Sequence, residues 1–600
     1  MGAYKGNLRD SEFILFEYLK VGEIYGTEPF DHIDTDGARM MLGEALKFAD
    51  EVMGDLNVEG DRHGCTYENG RVITPPGFKE AYKKYMDAGW QQVFVDLEDG
   101  GAELPPSLGM AVTEFFSSAN FALKTLVGGS DFGVIIKMAG TEEQIKRFCP
   151  GLFDGRWGGA MALTEADAGS DVGAIKTRAR RIDGDIYSIE GTKRFITCAE
   201  HDLSENIITL ALARIEGAPA GTKGLSMFII PNIWVNEDGS LGEPNDVACT
   251  GIEHKMGLKA SPTCQVSYGE NGRCRGILVG NQEGAGMKQM FLLINKARMM
   301  TAAQAIGQAS SAYLNSLAYA RERLQGSDLK EFMNKNTPRV PIIRHPDVRR
   351  MLLEQKSKLE GMRGLILKVA HLMDLVKIKG SEEAVRELGL IDVLTPIVKG
   401  YCAEESFNCN NLALQVLGGS GYCRDYPVEQ YLRDTRITSI YEGTTHIQAM
   451  DLVRKLGHAG GAHFISLLED IESFIRDALD SSFMKREIRL LGDAVSSVRN
   501  QGRMLVGFFG ENIYLVGLYA SGFLFSLSEV VVASILLEMA RVAAGSLADL
   551  EENHLDYQFY TGKIESARFF CHSFLPVVTC REQVMSAKDT AALDIPEGSF

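Results

Sequence analysis

Asp185-Ile-Tyr-Ser-Ile-Glu-Gly-Thr-Lys-Arg-Phe-Ile-Thr197 is a short run rich in β-branched and aromatic residues, bounded by an Asp-Gly pair before it. That composition and punctuation predict a strand. Similar runs follow at 205–215 (ENIITLALARI), 223–231 (KGLSMFIIP) and 264–269 (CQVSYG), broken by Asp-Gly, Glu-Gly and Asn-Gly turn pairs. From about 159 to 283 the chain is therefore expected to form a β domain.

On both sides the period changes. The stretches 38–53 (ARMMLGEALKFADEVM), 76–90 (PGFKEAYKKYMDAGW) and 141–155 (TEEQIKRFCPGLFDG) space apolar residues by three and four, which predicts helices. Helices resume with 286–324 (GMKQMFLLINKARMMTAAQAIGQASSAYLNSLAYARERL), and LGHAGGAH at 456–463 separates a last helical block. With 600 residues the chain is too long for one core. The predicted division is an N-terminal extension 1–35, a helical domain 36–158, a middle β domain 159–283, a helical bundle 284–455 and an additional C-terminal helical domain 463–600. The fold class is mainly α with a central β domain. A β domain between helical ones suggests a ligand held where domains meet.

Bulk composition narrows the function. A net charge of −18 argues against nucleic acid, because phosphate binding needs concentrated Lys and Arg. Eleven cysteines lie scattered without CxxC pairs or metal-ligand spacing, so no metal site is expected and reduced thiols in the cytoplasm are the simpler reading. The opening MGAYKGNLRDSEF lacks the basic and apolar stretches of a signal peptide. Residues 512–528 carry no formal charge, but Asn512, Gly517, Gly522 and several serines interrupt the run. A buried bundle helix is expected there, and membrane contact is not.

Three segments carry more specific information. They are Met161-Ala-Leu-Thr-Glu-Ala-Asp-Ala-Gly-Ser-Asp171, then Gly191-Thr-Lys-Arg-Phe-Ile-Thr197, then Gln415-Val-Leu-Gly-Gly-Ser-Gly-Tyr followed by Tyr426-Pro-Val-Glu and Arg433-Asp-Thr-Arg-Ile-Thr-Ser-Ile-Tyr-Glu-Gly-Thr-Thr-His-Ile-Gln448. In order and spacing they resemble the acyl-CoA dehydrogenase family over roughly 36–455. The last 145 residues resemble only its longer bacterial members with an extra helical domain, in the subgroup that includes methylmercaptopropionyl-CoA dehydrogenase.

The resemblance implies FAD as cofactor and an acyl-CoA thioester as substrate. It implies a helical N-terminal domain, a β-barrel middle domain and a helical-bundle domain. Glu442 matches the base that removes the α-proton while a hydride leaves the β-carbon; without the motif, such a Glu is more often a loop residue facing solvent, and the resemblance reverses that. A carboxylate suits the role because burial raises its pKa towards the working range. Some members carry the base at the position matched here by Ala297, which cannot take a proton. Met161, Leu163, Thr164, Gly169 and Ser170 match the flavin-contacting segment, with Ser170 also near substrate; Asp167 departs from the usual Gly. Phe195, Ile196 and Thr197 match the strand beside the flavin, Phe195 standing where Trp is commoner.

Arg323 matches an arginine that reaches the FAD of a neighbouring subunit, its alternative being a surface ion pair with a carboxylate such as Asp328. Gln415 and Gly419 match the accompanying segment, so a homo-oligomer is expected. Asn295, Arg298, Tyr441 and Gly443 are candidate substrate contacts, with a structural salt bridge as the alternative for Arg298. Thr444 and His446 flank the base near flavin, and His446 is given no acid–base role. The Gly-rich Leu417-Gly-Gly-Ser-Gly run follows no strand and opens no βαβ unit, so it does not predict a nicotinamide site. Electron-transferring flavoprotein is the expected acceptor. Oxygen, as in an acyl-CoA oxidase, and a non-catalytic scaffold are the alternatives; an intact Tyr-Glu-Gly-Thr argues against the scaffold.

Overall fold

Eight strands form one sheet: β1 (Trp157–Ala162), β2 (Arg178–Asp183), β3 (Ile186–Thr197), β4 (Asn206–Ile215), β5 (Leu225–Pro231), β6 (Val247–Ile252), β7 (Thr263–Tyr268) and β8 (Arg275–Leu278). The strand order is β6-β7-β3-β8-β5-β4-β1, and β2 pairs with both β3 and β4. That double pairing closes β3, β8, β5, β4 and β2 into a small barrel, which leaves no free edge among those five strands. Its interior is filled by Tyr187, Ile189, Ala211, Phe228 and Ile230. The structure, a computed structural model, describes residues 4–600 apart from 332, 335 and 482. The mainly helical class with a central β domain is as expected, down to the barrel.

The chain divides into two compact units, each discontinuous in sequence. One holds Tyr4, Lys47–Pro105 and Ala119–Ala297, including the barrel; the other holds Lys5–Leu46, Pro106–Ser118 and Arg298–Phe600. In the first, a hairpin of Thr66–Glu68 and Arg71–Ile73 interrupts a region expected to be helical throughout. Its turn is Asn69-Gly70, both with positive φ (52° and 82°), the pairing that suits a tight two-residue hairpin.

The second unit is a bundle. It contains α1 (Pro106–Ala119, up to Ser118), α2 (Gly286–Glu322, from Arg298 on), α3 (Pro346–Lys379), α4 (Val385–Leu417), α5 (Val428–Thr435), α6 (Thr445–Gly457), α7 (Ala462–Asp480), α8 (Lys485–Glu511), α9 (Ile513–Leu547) and α10 (Tyr557–Ser586). α9 begins where Asn512 caps it, its side chain accepting from the Tyr514 amide. It is long and apolar enough to cross a membrane, with mean hydropathy 1.9, yet 83% of that apolar window is buried in the bundle. Gly361 of α3 lets it approach: a Cβ there would stand 2.4 Å from Val532 Cγ1. Its one early charge, Glu529, is paired with Arg581 of α10 at 2.5 and 2.9 Å.

A buried charge cluster ties distant segments of this unit together. Arg363 of α3 donates to Glu114 of α1, with Nε 2.9 Å from Oε2, and to Asp10 near the N-terminus. Lys563 of α10 also binds Asp10 and lies 3.2 Å from Glu360. All five side chains are less than a tenth exposed.

Candidate active site

In the barrel unit, β3 and the loop after β1 are stitched edge to edge. The Arg194 amide donates to the Thr164 carbonyl at 2.9 Å. Lys193 Nζ, wholly buried, donates to the Leu163 carbonyl and to Glu165, both at 2.9 Å. Burial brings the Lys193 ammonium down to about 8 against the opposing pull of Glu165. Glu165 also accepts from the Lys176 and Thr177 amides at 2.6 and 3.0 Å, which fixes both ends of the loop.

A bulge then re-aims the strand. Between Lys193↔Val266 and Ile196↔Cys264, two residues of β3 face one of β7. Phe195 sits in this bulge at φ 62° and is 54% exposed, an unusual state for a large aromatic. Arg194 stacks on its ring at 4.8 Å and is held by Glu253 at 2.8 Å. Among the described residues, the half-buried hydroxyls of Thr164 and Thr197 and the exposed hydroxyl of Ser170 make no hydrogen bond within the chain. Gly169 is exposed, and a Cβ placed on it would meet nothing closer than Thr164 Cγ2 at 4.0 Å. An exposed ring beside free hydroxyls and an open glycine fits the flat, polar-edged body of a flavin. Met161 and Leu163 are half-buried and pack on the apolar core, whereas Ile196 is 2% exposed, so only its backbone can meet a ligand. Asp167 is exposed and paired with Lys176 at 2.9 Å. Asn295 is exposed on the first turns of α2, and Ala297 is half-buried.

In the helical unit, Glu442 lies in the turn between Ile440 and α6. Thr444 immediately precedes that helix, its hydroxyl accepting from the Ile447 amide at 3.3 Å. Glu442 and Gly443 both have positive φ, 55° and 87°. At Gly443 a Cβ would stand 2.6 Å from Gln448 Nε2, so glycine is needed for space as well as for conformation. Gln448 donates to the carbonyl oxygens of Glu442 and Gly443 at 3.2 and 3.3 Å. Lys399 of α4 donates to the Gly443 carbonyl at 2.5 Å. Tyr441 donates to Gln304 Oε1 at 3.1 Å.

With its carbonyl held inward, Glu442 keeps an amide N–H that no acceptor among the described residues takes up. Burial pushes its half-buried carboxyl above the ordinary glutamate value, while Lys399 and Arg298 pull the other way. Burial brings Lys399 down to about 8, opposed by Glu442. Arg298 is 6% exposed and bound to Asp451 at 2.9 Å. It therefore makes the salt bridge that was the alternative to a substrate contact, while still facing the base. His446 is exposed, 3.4 Å from Ser521 of α9.

The remaining candidates form an exposed patch on this unit. Arg323, Gln415 and Gly419 are all exposed. Tyr319, one turn before Arg323, lies 3.2 Å from Ser420, the residue after Gly419. Asp328 pairs with Arg344 at 3.4 Å rather than with Arg323. Sequence reasoning did not single out Lys399, Gln448, Lys193 or Glu165. Gln448 stood at the end of a motif, but nothing in the spacing shows that 399 and 443 meet.

Four family descriptions match in chain order. They are "Acyl-CoA dehydrogenase, N-terminal domain" over 35–156, "middle domain" over 160–270, "C-terminal domain" over 284–457, and "Acetyl-CoA dehydrogenase C-terminal like" over 467–596. The chain belongs to the acyl-CoA dehydrogenase family, FAD-dependent oxidoreductases acting on CH–CH bonds. Among its relatives is the broad-specificity linear acyl-CoA dehydrogenase FadE5 of Mycobacterium tuberculosis, 39% identical with both chains fully covered. The 3-methylmercaptopropionyl-CoA dehydrogenase of Ruegeria pomeroyi is 39% identical over 76% of this chain and 77% of its own. Among solved structures, an acyl-CoA dehydrogenase from Bacillus anthracis complexed with FAD shares the fold at TM-score 0.72, with 20% identity over 94% of this chain and 90% of that one.

Proposed function

We propose that the protein oxidises an acyl-CoA thioester to the trans-2-enoyl-CoA, with Glu442 as the base that takes the α-proton. The observation that carries this is the Glu442 turn. A lone carboxyl is held at positive φ, its backbone carbonyl clamped by Gln448 and its own N–H left free. The raised pKa makes the carboxylate a stronger base than an exposed glutamate. The free N–H is suited to the thioester oxygen, where negative charge grows as the proton leaves. FAD, when bound, supplies the acceptor for the hydride leaving the β-carbon.

Thr164, Gly169, Ser170, Phe195 and Thr197 would hold the flavin, and Arg323, Gln415 and Gly419 of a second copy would complete its site. Thr444 and His446 would lie close by. Ser170, Asn295, Tyr441 and Gly443 would contact substrate. Arg298, already bound to Asp451, would act on substrate through its charge. Electron-transferring flavoprotein would take the electrons onward. The free cysteines, most of them buried, suit a cytoplasmic protein.

Anaerobic titration of the purified yellow protein with straight-chain acyl-CoAs of increasing length, in parallel with Glu442→Gln, tests the reading. Bleaching by one chain-length class, lost in the variant, is expected. No bleaching by any acyl-CoA would end it, and rapid reoxidation of the reduced protein by air would move the acceptor to oxygen.

A further inference from the structure

The carbonyl of Gly443 is gripped from two helices, and one grip carries charge. Lys399 reaches it from α4 at 2.5 Å, and Gln448 from α6 at 3.3 Å. The Lys399 side chain is wholly buried, where an ammonium is costly unless something negative answers it. Its hydrogen-bond partner is a carbonyl and not a carboxylate. The charged groups that face it are Glu442, Arg298 and Glu404.

Two of these are already engaged. Glu404 is bound by Thr445 at 2.6 Å and by Arg436 at 3.4 Å. Arg298 is held by Asp451 at 2.9 Å, and Asp451 also lies 3.6 Å from Lys455. Glu442 is left as the carboxylate that forms no salt bridge among the described residues, one residue from the carbonyl Lys399 holds.

Resting on the reading of Glu442 as the base, we propose that Lys399 is its positioning residue. The buried ammonium fixes the turn through the Gly443 carbonyl and, alongside Arg298, supplies positive charge against which the Glu442 carboxylate ionises. Gln448 performs only the first of these tasks, because an amide carries no charge.

The charge has a separate signature. Burial places Lys399 at about 8, so it is cationic through neutral pH. A nearby cation favours the ionised form of a carboxylate. Removing it should raise the pKa of Glu442, and because flavin reduction needs the ionised base, the rate should fail at a higher pH on the acid side. A side chain that merely fills space would lower the rate equally at every pH.

The test is the pH dependence of anaerobic flavin reduction by octanoyl-CoA, measured on the FAD-loaded full chain with Lys399→Met, a near-isostere without charge. The acid limb is expected to move up by about one pH unit or more. An unmoved limb, or a uniform fall at all pH values, overturns the proposal. Should Lys399→Met fail to fold, wild-type protein answers instead. The infrared carboxylate stretch of Glu442, identified by its loss in Glu442→Gln, should shift as Lys399 loses its proton on the alkaline side of neutral pH; no shift through that titration is equally fatal. Glu442→Gln separates the two readings. If it reduces flavin at near-wild-type rates, the base assignment falls; if it is slowed by about 10²–10⁴ while the Lys399→Met limb stays put, only the role of Lys399 falls.

Discussion

Gln448 Nε2 donates to the Glu442 carbonyl at 3.2 Å, so the residue that offers the carboxylate has its backbone pinned from the helix that follows it. This pinning separates binding from chemistry at Glu442. Glu442→Gln keeps the length, the positive-φ turn and the free N–H, and removes only the basic group. It should bind acyl-CoA yet reduce flavin slower by about 10²–10⁴, the usual loss for a general base, and at the upper end for a sole base. Stopped-flow bleaching checks this; near-wild-type rates would show the base is elsewhere.

Gly443→Ala tests the turn itself. The new Cβ meets φ 87° and the amide of Gln448 at 2.6 Å, so either the backbone relaxes or Gln448 lets go. Strain of this kind costs about 1–3 kcal/mol. Because the relaxation re-aims Glu442, flavin reduction should fall while FAD content stays unchanged. A variant with wild-type rates would mean the turn does not need glycine.

These residues also mark how far the sequence could be read. Strand and helix periods revealed the helical, β, helical order, because patterning records which face is buried. The barrel and Glu442 as the candidate base came from motif resemblance, since short local segments carry both. The hairpin at Asn69-Gly70 was missed although its turn pair was in view, because the helical period around it dominated the reading. Lys399 could not be found from local pattern: it meets Gly443 across 44 positions, by helix packing that leaves no periodic trace. Arg298 was ambiguous for the opposite reason. The family resemblance implied a substrate contact, a lone arginine fits a salt bridge as well, and only the position of Asp451 shows the second.

Arg363 should matter for stability rather than for the chemistry. Arg363→Met leaves Asp10 and Glu114 buried with less positive charge, and breaking a buried pair from one side costs about 3–5 kcal/mol. The pH dependence has a definite sign. Burial opposes ionisation of Asp10, but Lys563 and Arg363 outweigh it and hold the carboxyl well below its ordinary value. Its stabilisation is complete above the ordinary aspartate pKa and is lost as pH falls through the lower folded one. Thermal unfolding should therefore steepen in acid for wild type and less so for Arg363→Met. Equal melting temperatures at neutral pH would show that the cluster contributes nothing.

Arg323 allows a test that depends on which chain it serves. It lies on an exposed patch with Gln415 and Gly419, joined through Tyr319 and Ser420 at 3.2 Å, and the proposal gives that patch to the flavin of a second copy. Arg323→Ala alone should lose FAD readily, because a planar, permanently charged fork is well matched to a pyrophosphate. Glu442→Gln alone should keep FAD and reduce it only at the strongly slowed rate. Co-expressed under two tags and purified through both, the pair should regain activity. In the mixed oligomer the Arg323→Ala chain still carries Glu442 and receives an intact Arg323 from its neighbour. If each chain completed its own flavin site, the Arg323→Ala chain would lack the arginine in any company. Mixing would then restore nothing, and the shared site would have to be abandoned even if the protein proved oligomeric.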